Sequence, residues 1–568
     1  MSRTFSQAHR EAEITAATDA ELDVLVIGAG ATGAGVALDA ASRGLTVAVL
    51  DMGDLASGTS SKSSKLVHGG LRYLENYDFA LVREGVVERQ LLLRLAPHLV
   101  RPMDFVLPVW SDTARRRLLG VGLTTYDVFA AAALGGRLRD VRRHERVSAE
   151  EAIERAPALA RSGLEYAYVY GDCATDDVRL VLSVLQEARR FGALVLTYSQ
   201  VTGVGWDGDR VDRCDVLDRL DGSSYTLRAR HIVNATGVWA DRLLGLVEPG
   251  RATTLQPSKG VHVVVPRDRL PLERASVLLP SKQGDARAMF AIPWGPQTIL
   301  GTTDTLYDGP LDDLGLDEKD LEYVLAAGNA VFDASLVPDD VVGAWAGVRP
   351  LLRAERGEAP SDLSRRHSLS EGTGGVITIT GGKLTTYRRM AKDVVDLVVD
   401  RDGRRARCRT AQIPLGGGVS YDALRQETAS MAAALGVGDD AAVALVRSHG
   451  NQAAAVLGLV ASDPALGVRI SPAAPDLMAQ VVHAARHEGA ATVEDVLARR
   501  TRLSVRARDA AIPAASAVAA LLAAELGRDP AWIGAQVREY VDAVRRERGV
   551  LGRAASLATS SPMGSPHD

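Results

Sequence analysis

Cysteine is scarce in this chain: Cys173, Cys214 and Cys408 are the only three among 568 residues. No two of them stand at a short metal-type spacing. That argues against a disulfide framework and against a zinc site, and it sets the expectation of no metal and a reducing, cytoplasmic setting. Long apolar runs are missing as well. Nothing approaches the roughly 20 apolar residues needed to span a bilayer, and Glu11, Glu13 and Asp19 interrupt the stretch where a signal peptide would carry its apolar core. Any membrane association is therefore expected to be peripheral. Nor is there an excess of positive charge. Lys and Arg number 66 against 71 Asp and Glu, so nothing draws the whole molecule to nucleic acid.

What is present is the material of a globular protein, 46% hydrophobic and 24% charged. The length calls for two or three domains. Residues 1–20 are polar and aperiodic and are expected to be disordered. From Asp23 a strand, a glycine-rich turn, a helix and a second strand follow within one βαβ unit. Strand-like runs recur at Leu194–Thr197, Val201–Val204, His231–Asn234, Val261–Val265, Thr298–Gly301 and Gly375–Thr380. They alternate with helical stretches at Ala80–Leu95 and Val178–Phe191. Beyond Pro414 the pattern turns helical. Asp529 is placed to cap a last helix, Pro530 suits its first turn, and Gly549 ends it. Thr492 and Asp495 resemble a capping box for a second helix.

The turn Gly28-Ala29-Gly30-Ala31-Thr32-Gly33 carries the first chemistry. Gly28 permits the tight turn, Gly30 lets a pyrophosphate approach the backbone, and Gly33 lets helix and strand pack closely. Free amides and the dipole at the helix start then stabilise the anion. Asp51 closes the second strand, where a carboxylate can accept hydrogen bonds from ribose hydroxyls. This much specifies a dinucleotide without choosing between a nicotinamide and a flavin.

The segment Gly58 to Leu74 (GTSSKSSKLVHGGLRYL) is dense in small hydroxyls and then turns basic and glycine-rich. It closely resembles the signature of FAD-dependent glycerol-3-phosphate dehydrogenases. So do Val233–Trp239 (VNATGVW), Gly343–Pro350 with its Gly-Val-Arg-Pro, and Gly381–Arg388 (GGKLTTYR). His487-Glu488-Gly489 with Thr492–Leu503 is similar to that family's helical cap. The likeness runs in order from about residue 22 to 545. One departure is Asp51, where related enzymes often have Glu.

The resemblance implies an α/β (α+β) FAD-binding Rossmann-like domain with an inserted mixed-sheet substrate domain, plus a C-terminal all-α domain. The oxidoreductase domain is expected at 21–408, with FAD-binding parts at 21–85, 165–257 and 351–408 and substrate-binding parts at 86–164 and 258–350. A helical domain is expected at 409–548 and a flexible tail at 549–568. The FAD contacts implied are Gly28, Gly30, Gly33, Asp51, Thr59, Ser60, Ser63, Ser64, Lys65, His68, Gly69, Ala235, Gly237, Gly382, Lys383, Leu384 and Thr385. The Gly381–Lys383 turn leads into a helix whose N-terminus would favour negative charge on a reduced flavin.

The reaction implied is oxidation of sn-glycerol 3-phosphate to dihydroxyacetone phosphate by hydride transfer to flavin N5. Arginine suits a phosphate dianion through paired hydrogen bonds, lysine as a point charge. By similarity Arg72, Tyr73, Arg349 and Lys383 are the substrate candidates, with Arg366 aligning less closely. His262, within the apolar strand Val261–Val265, is ranked first as the base and His68 second. Taken alone, a histidine in such a strand is more often a satisfied core residue. The Gly301–Asp304 turn is assigned to closing the pocket and given no chemistry.

The family's acceptor is a membrane quinone, met on the inner face of the cell membrane. The run Arg115-Arg116-Arg117-Leu118-Leu119, with a helix around Val121–Leu134, is the candidate contact surface. A solvated helix face is an equal reading. An oxidase using oxygen, an amine- or amino-acid-oxidising flavoenzyme, a nicotinamide-dependent dehydrogenase and a flavin-containing sensor remain open, as does a homodimer.

Overall fold

The computed structural model describes residues 5–71, 78–110, 116–133, 142–272, 275–279, 289–353, 366–416, 420–507 and 510–551. The strand Glu21–Ile27 is buried along nearly its whole length, as its unbroken apolar run demands of a central parallel strand. It is paired on both sides, with Val47–Leu50 and with Ser224–Asn234. Leu194–Leu196 and Ile377–Thr380 extend the parallel set outward in an eight-stranded sheet. The helix Ala31–Ser42 packs against this sheet and against the helices Asp177–Arg190 and Tyr387–Arg401.

A second, ten-stranded sheet is built around Ser258–Pro266, Gln297–Gly301, Arg101–Trp110 and Leu164–Ala174. Gly343–Arg349 runs antiparallel to Ser258–Pro266, which sets His262 opposite both Trp345 and Gly301. Leu66–Val67 joins the far edge of this sheet by pairing with Ala174 and Cys173. The glycine- and serine-rich segment therefore leaves the first sheet and ends on the second, across the space between them.

Helices run from Tyr421 to Arg548 around a core that includes Val481, Val496, Leu503, Val518 and Leu522. Asp529 caps the last of them by accepting from the Trp532 amide at 2.8 Å, with Pro530 in the first turn and Gly549 at the end. The Thr492 box also forms: the Thr492 hydroxyl accepts from the Asp495 amide at 3.2 Å, and Asp495 accepts from the Thr492 amide at 3.0 Å. The box opens a π-helical stretch, Asp495–Arg500, rather than a long α-helix. Among the described residues no helix is long and apolar enough to cross a membrane.

The expectation of a disordered start fails for the part described. Arg10–Thr18 is a helix, Phe5 is buried, and Phe5 bridges to Glu488. The segment looked aperiodic because its partners are remote. Arg10 pairs with Asp218, Glu13 with Arg189, and the Gln7 amide donates to the Gly489 carbonyl at 2.7 Å. Of the tail expected at 549–568, residues 552–568 lie outside the described residues.

Candidate active site

The Gly28–Gly33 turn is shaped by two close approaches. Gly28 has φ +105°, and a Cβ there would sit 2.6 Å from the Ala235 carbonyl oxygen; one on Gly33 would sit 1.8 Å from the Gly28 oxygen. Only a bare backbone fits either position. The Ala29 amide donates to Asp51 at 2.8 Å and the Ala31 amide to the Ser60 hydroxyl at 2.9 Å. Asp51 also takes the Gly53 amide at 3.0 Å, and burial pushes its carboxyl up to about 6.

A cavity of ≈ 1860 Å³ opens from this turn. Sites for single drug-sized ligands are roughly 300–1,000 Å³, so there is space for a dinucleotide and a substrate together. Gly28, Gly30, Asp51, Thr59, Ser60, Ser63, Ser64 and His68 line it from one side. Ala235, Gly237, Gly382, Lys383, Leu384 and Thr385 line it from the other strands of the first sheet. The second sheet contributes His262 and Arg349.

Three expected cofactor residues stand back from the cavity. Gly33 is spent on helix–strand packing. Gly69 lies against the helix Arg116–Ala133, where its amide donates to the Tyr126 hydroxyl at 2.9 Å and a Cβ would fall 2.4 Å from that oxygen. Lys65 turns its ammonium inward, to Asp177 and to the Ser61 carbonyl, both at 2.6 Å. Asp177 also takes the Ser63 hydroxyl at 2.7 Å.

His262 is fully buried and shares a 2.8 Å hydrogen bond, through Nε2, with the Ser64 hydroxyl. Its Nδ1 has no hydrogen-bond partner among the described residues. The Trp345 indole stacks on the ring. Burial, followed by the charges of Lys65 and Arg349, holds the imidazole well below the usual histidine range, so it is neutral at pH 7. A neutral imidazole at a cavity wall can accept a proton, which an imidazolium cannot.

Arg349 ends its strand with the guanidinium held in a fork. Nη1 donates to Asp304 at 3.1 Å and Nη2 to the Thr302 hydroxyl at 3.2 Å, and both reach the Thr303 carbonyl. The turn assigned only to closing the pocket therefore aims the arginine. Lys383 lies at the cavity where Leu384 opens its helical turn. Arg366 is not brought there. It makes a two-armed contact with Asp78 at 2.7 and 3.1 Å, and its side chain is 60% exposed. Its guanidinium is engaged by that carboxylate at the surface and is not brought to the cavity. Arg72 and Tyr73 lie outside the described residues.

Asp177, Trp345 and Asp304 were not foreseen as site residues. Asp177 had one signal, an acidic residue in the first turn of a helix whose next six residues are apolar but for Arg179 and Ser183. Trp345 and Asp304 had none beyond lying inside the motifs.

The chain matches the model of the FAD dependent oxidoreductase family over residues 23–388. Residues 408–532 match the C-terminal domain of alpha-glycerophosphate oxidase. Glycerol-3-phosphate dehydrogenase 2 of Mycobacterium tuberculosis is 39% identical over 545 residues, covering 96% of this chain and 91% of that one. The chain belongs to the FAD-dependent glycerol-3-phosphate dehydrogenases. An aerobic glycerol-3-phosphate dehydrogenase of Bacillus subtilis is 37% identical over 425 residues, 74% of this chain and 75% of its own. The crystal structure of the glycerol-3-phosphate dehydrogenase from Bacillus halodurans, complexed with FAD, superposes with a TM-score of 0.79 at 30% identity, covering 96% and 98% of the two chains. FAD is the cofactor of this enzyme family, and the glycine cradle, Asp51 and the size of the cavity fit it.

Proposed function

We propose that this enzyme oxidises sn-glycerol 3-phosphate to dihydroxyacetone phosphate and passes the electrons to a quinone. One observation carries the reading: neutral His262, Arg349 and Lys383 open onto the same cavity as the Gly28–Gly30 turn. A phosphorylated polyol needs cations for its phosphate and a base for the hydroxyl being oxidised. Arg349 and Lys383 are assigned to the phosphate, with Arg72 and Tyr73 added from the family motif. His262 is assigned to take the hydroxyl proton, oriented by Ser64 through the bond at Nε2. Bound FAD supplies the hydride acceptor. The names of the relatives support the same substrate.

The quinone reading is supported by apolar residues at the cavity's mouth. Phe79, Leu107, Trp110 and Val121 line it, and Phe79 and Val121 are 45% and 64% exposed. Val128, on the same helix as Val121, is 59% exposed. Such a surface suits peripheral contact with the inner leaflet.

The test is a spectrum. The purified protein is expected to be yellow and to bleach when sn-glycerol 3-phosphate is added without oxygen. A flavin that stays oxidised overturns the reading. Recovery of colour with a soluble quinone, faster than with air, separates dehydrogenase from oxidase.

A further inference from the structure

Among the described residues none lining the cavity lies beyond Thr385, yet the helical domain grips the loop behind its wall: Glu547 pairs with Lys62, and Arg502 reaches further in. Arg502 is buried and opens the short helix Leu503–Arg506 from a left-handed backbone, φ +61°. A non-glycine residue holds that conformation only where its surroundings fix it. Its guanidinium crosses to the first domain, donating to Asp177 at 3.0 Å and to the Ser61 carbonyl at 3.2 Å. Lys65 donates to the same two groups. Lys65 too is left-handed, with φ +60°. Asp177 is thus the hub. It holds Lys65, Arg502, the Ser63 hydroxyl and, at 3.2 Å, the Ser63 amide.

The residue left between these anchors is Ser64, whose hydroxyl meets His262. The Lys65 ammonium also lies 4.7 Å from the centre of the Trp345 ring that stacks on His262. A loop pinned at Ser61, Ser63 and Lys65 has little freedom to move Ser64. Buried charges of this kind are costly unless fully paired, so removing one cation unbalances the rest.

We propose that Arg502 and Asp177 are positioning residues: the helical domain fixes the Ser61–Lys65 loop through them, and the loop in turn fixes the Ser64–His262 hydrogen bond. The catalytic part of this proposal rests on His262 being the base. The loop itself can be tested without substrate.

The experiment compares the FAD-loaded full-length Arg502→Met and Asp177→Asn variants with Arg502→Lys and the parent. Asp177→Asn keeps the side chain's shape, so poor folding of one variant leaves the other decisive. Amide hydrogen exchange over residues 59–66, without substrate, is expected to speed up in both. The limiting rate of anaerobic flavin reduction by sn-glycerol 3-phosphate is expected to fall on the order of 10- to 100-fold. The half-saturating concentration should stay close to the parent's, because Arg349 and Lys383 are untouched. Arg502→Lys should recover part of the rate.

Tyr198→Phe is the control. It deletes a 2.7 Å hydrogen bond to Asp495 elsewhere in the domain contact and should leave both readouts unchanged. Parent-like exchange over 59–66 in either variant overturns the proposal, as does an equal rate loss in Tyr198→Phe. A parent enzyme that sn-glycerol 3-phosphate fails to reduce overturns the substrate assignment instead, and the exchange result still decides the loop.

Discussion

The rings of Trp345 and His262 lie 5.0 Å apart, centre to centre, with their planes 17° from parallel. The indole covers one face of the imidazole and so shares in the burial that is the main reason the ring resists protonation. Trp345→Leu should therefore raise the histidine's affinity for protons. Because the neutral form is the base, the acid limb of the pH profile for flavin reduction should move to higher pH. An unmoved limb would show that another group sets it.

His262→Ala removes the base outright. Anaerobic flavin reduction should slow by roughly 10²–10⁴-fold while FAD stays bound. A parent-like rate would leave His262 as a core residue under Trp345.

Arg349→Ala takes away a charge-assisted contact worth about 1.5–3 kcal/mol. The half-saturating concentration of sn-glycerol 3-phosphate should rise roughly 10- to 100-fold by the same figure, again with FAD retained. Arg349→Lys should recover only part of this, since an ammonium cannot hold Asp304 and Thr302 and still present a planar edge. Loss of the flavin from Arg349→Ala would mean that the residue belongs to the cofactor site.

Gly28→Ala should yield protein with little FAD. The new methyl would meet the Ala235 carbonyl in a backbone conformation that L-residues avoid. The visible spectrum of the purified variant decides the matter, and a full flavin complement would refute the cradle.

Stability should fall on mild acidification. His98 and His483 are both buried, and burial pulls each down to about 4 from an ordinary 6.5. Between those values the unfolded chain binds protons that the folded chain refuses, so the folded state loses ground as pH falls. Each histidine should cost about 2 kcal/mol by pH 5. Glu488, held down to about 2 chiefly by Arg179 against the cost of its burial, adds its loss only below about 4.5. Urea midpoints measured at pH 7 and pH 5 check this; equal midpoints would contradict it.

The parts of the site that are local in sequence were legible before folding. The Gly28–Gly33 turn and Asp51 form one βαβ unit, and the geometry of that unit assigns their roles. His262 could be placed on a buried strand, but its partner Ser64 is 198 residues away and no periodicity connects them. Arg366 shows the reverse case: similarity to the family suggested phosphate, whereas Asp78, 288 residues distant, takes the guanidinium. Arg502 left one trace, as the third arginine in Arg499-Arg500-Thr501-Arg502. Arg499 and Arg500 both pair with Asp54, so the run marks a domain contact that only the fold locates.

Phe5 rests on Gly489, and Gln7 donates to the Gly489 carbonyl. During synthesis the first of these segments emerges long before its seat exists. Phe5 and Gln7 must wait for it, although the helix Arg10–Thr18 that follows them can already dock on Arg189, Asp218 and the strands Leu194–Leu196 and Ser224–Asn234. The settling of Phe5 on Gly489 is thus among the last steps of assembly, and bulky fusions placed ahead of Phe5 would obstruct that closing step more than the formation of either sheet.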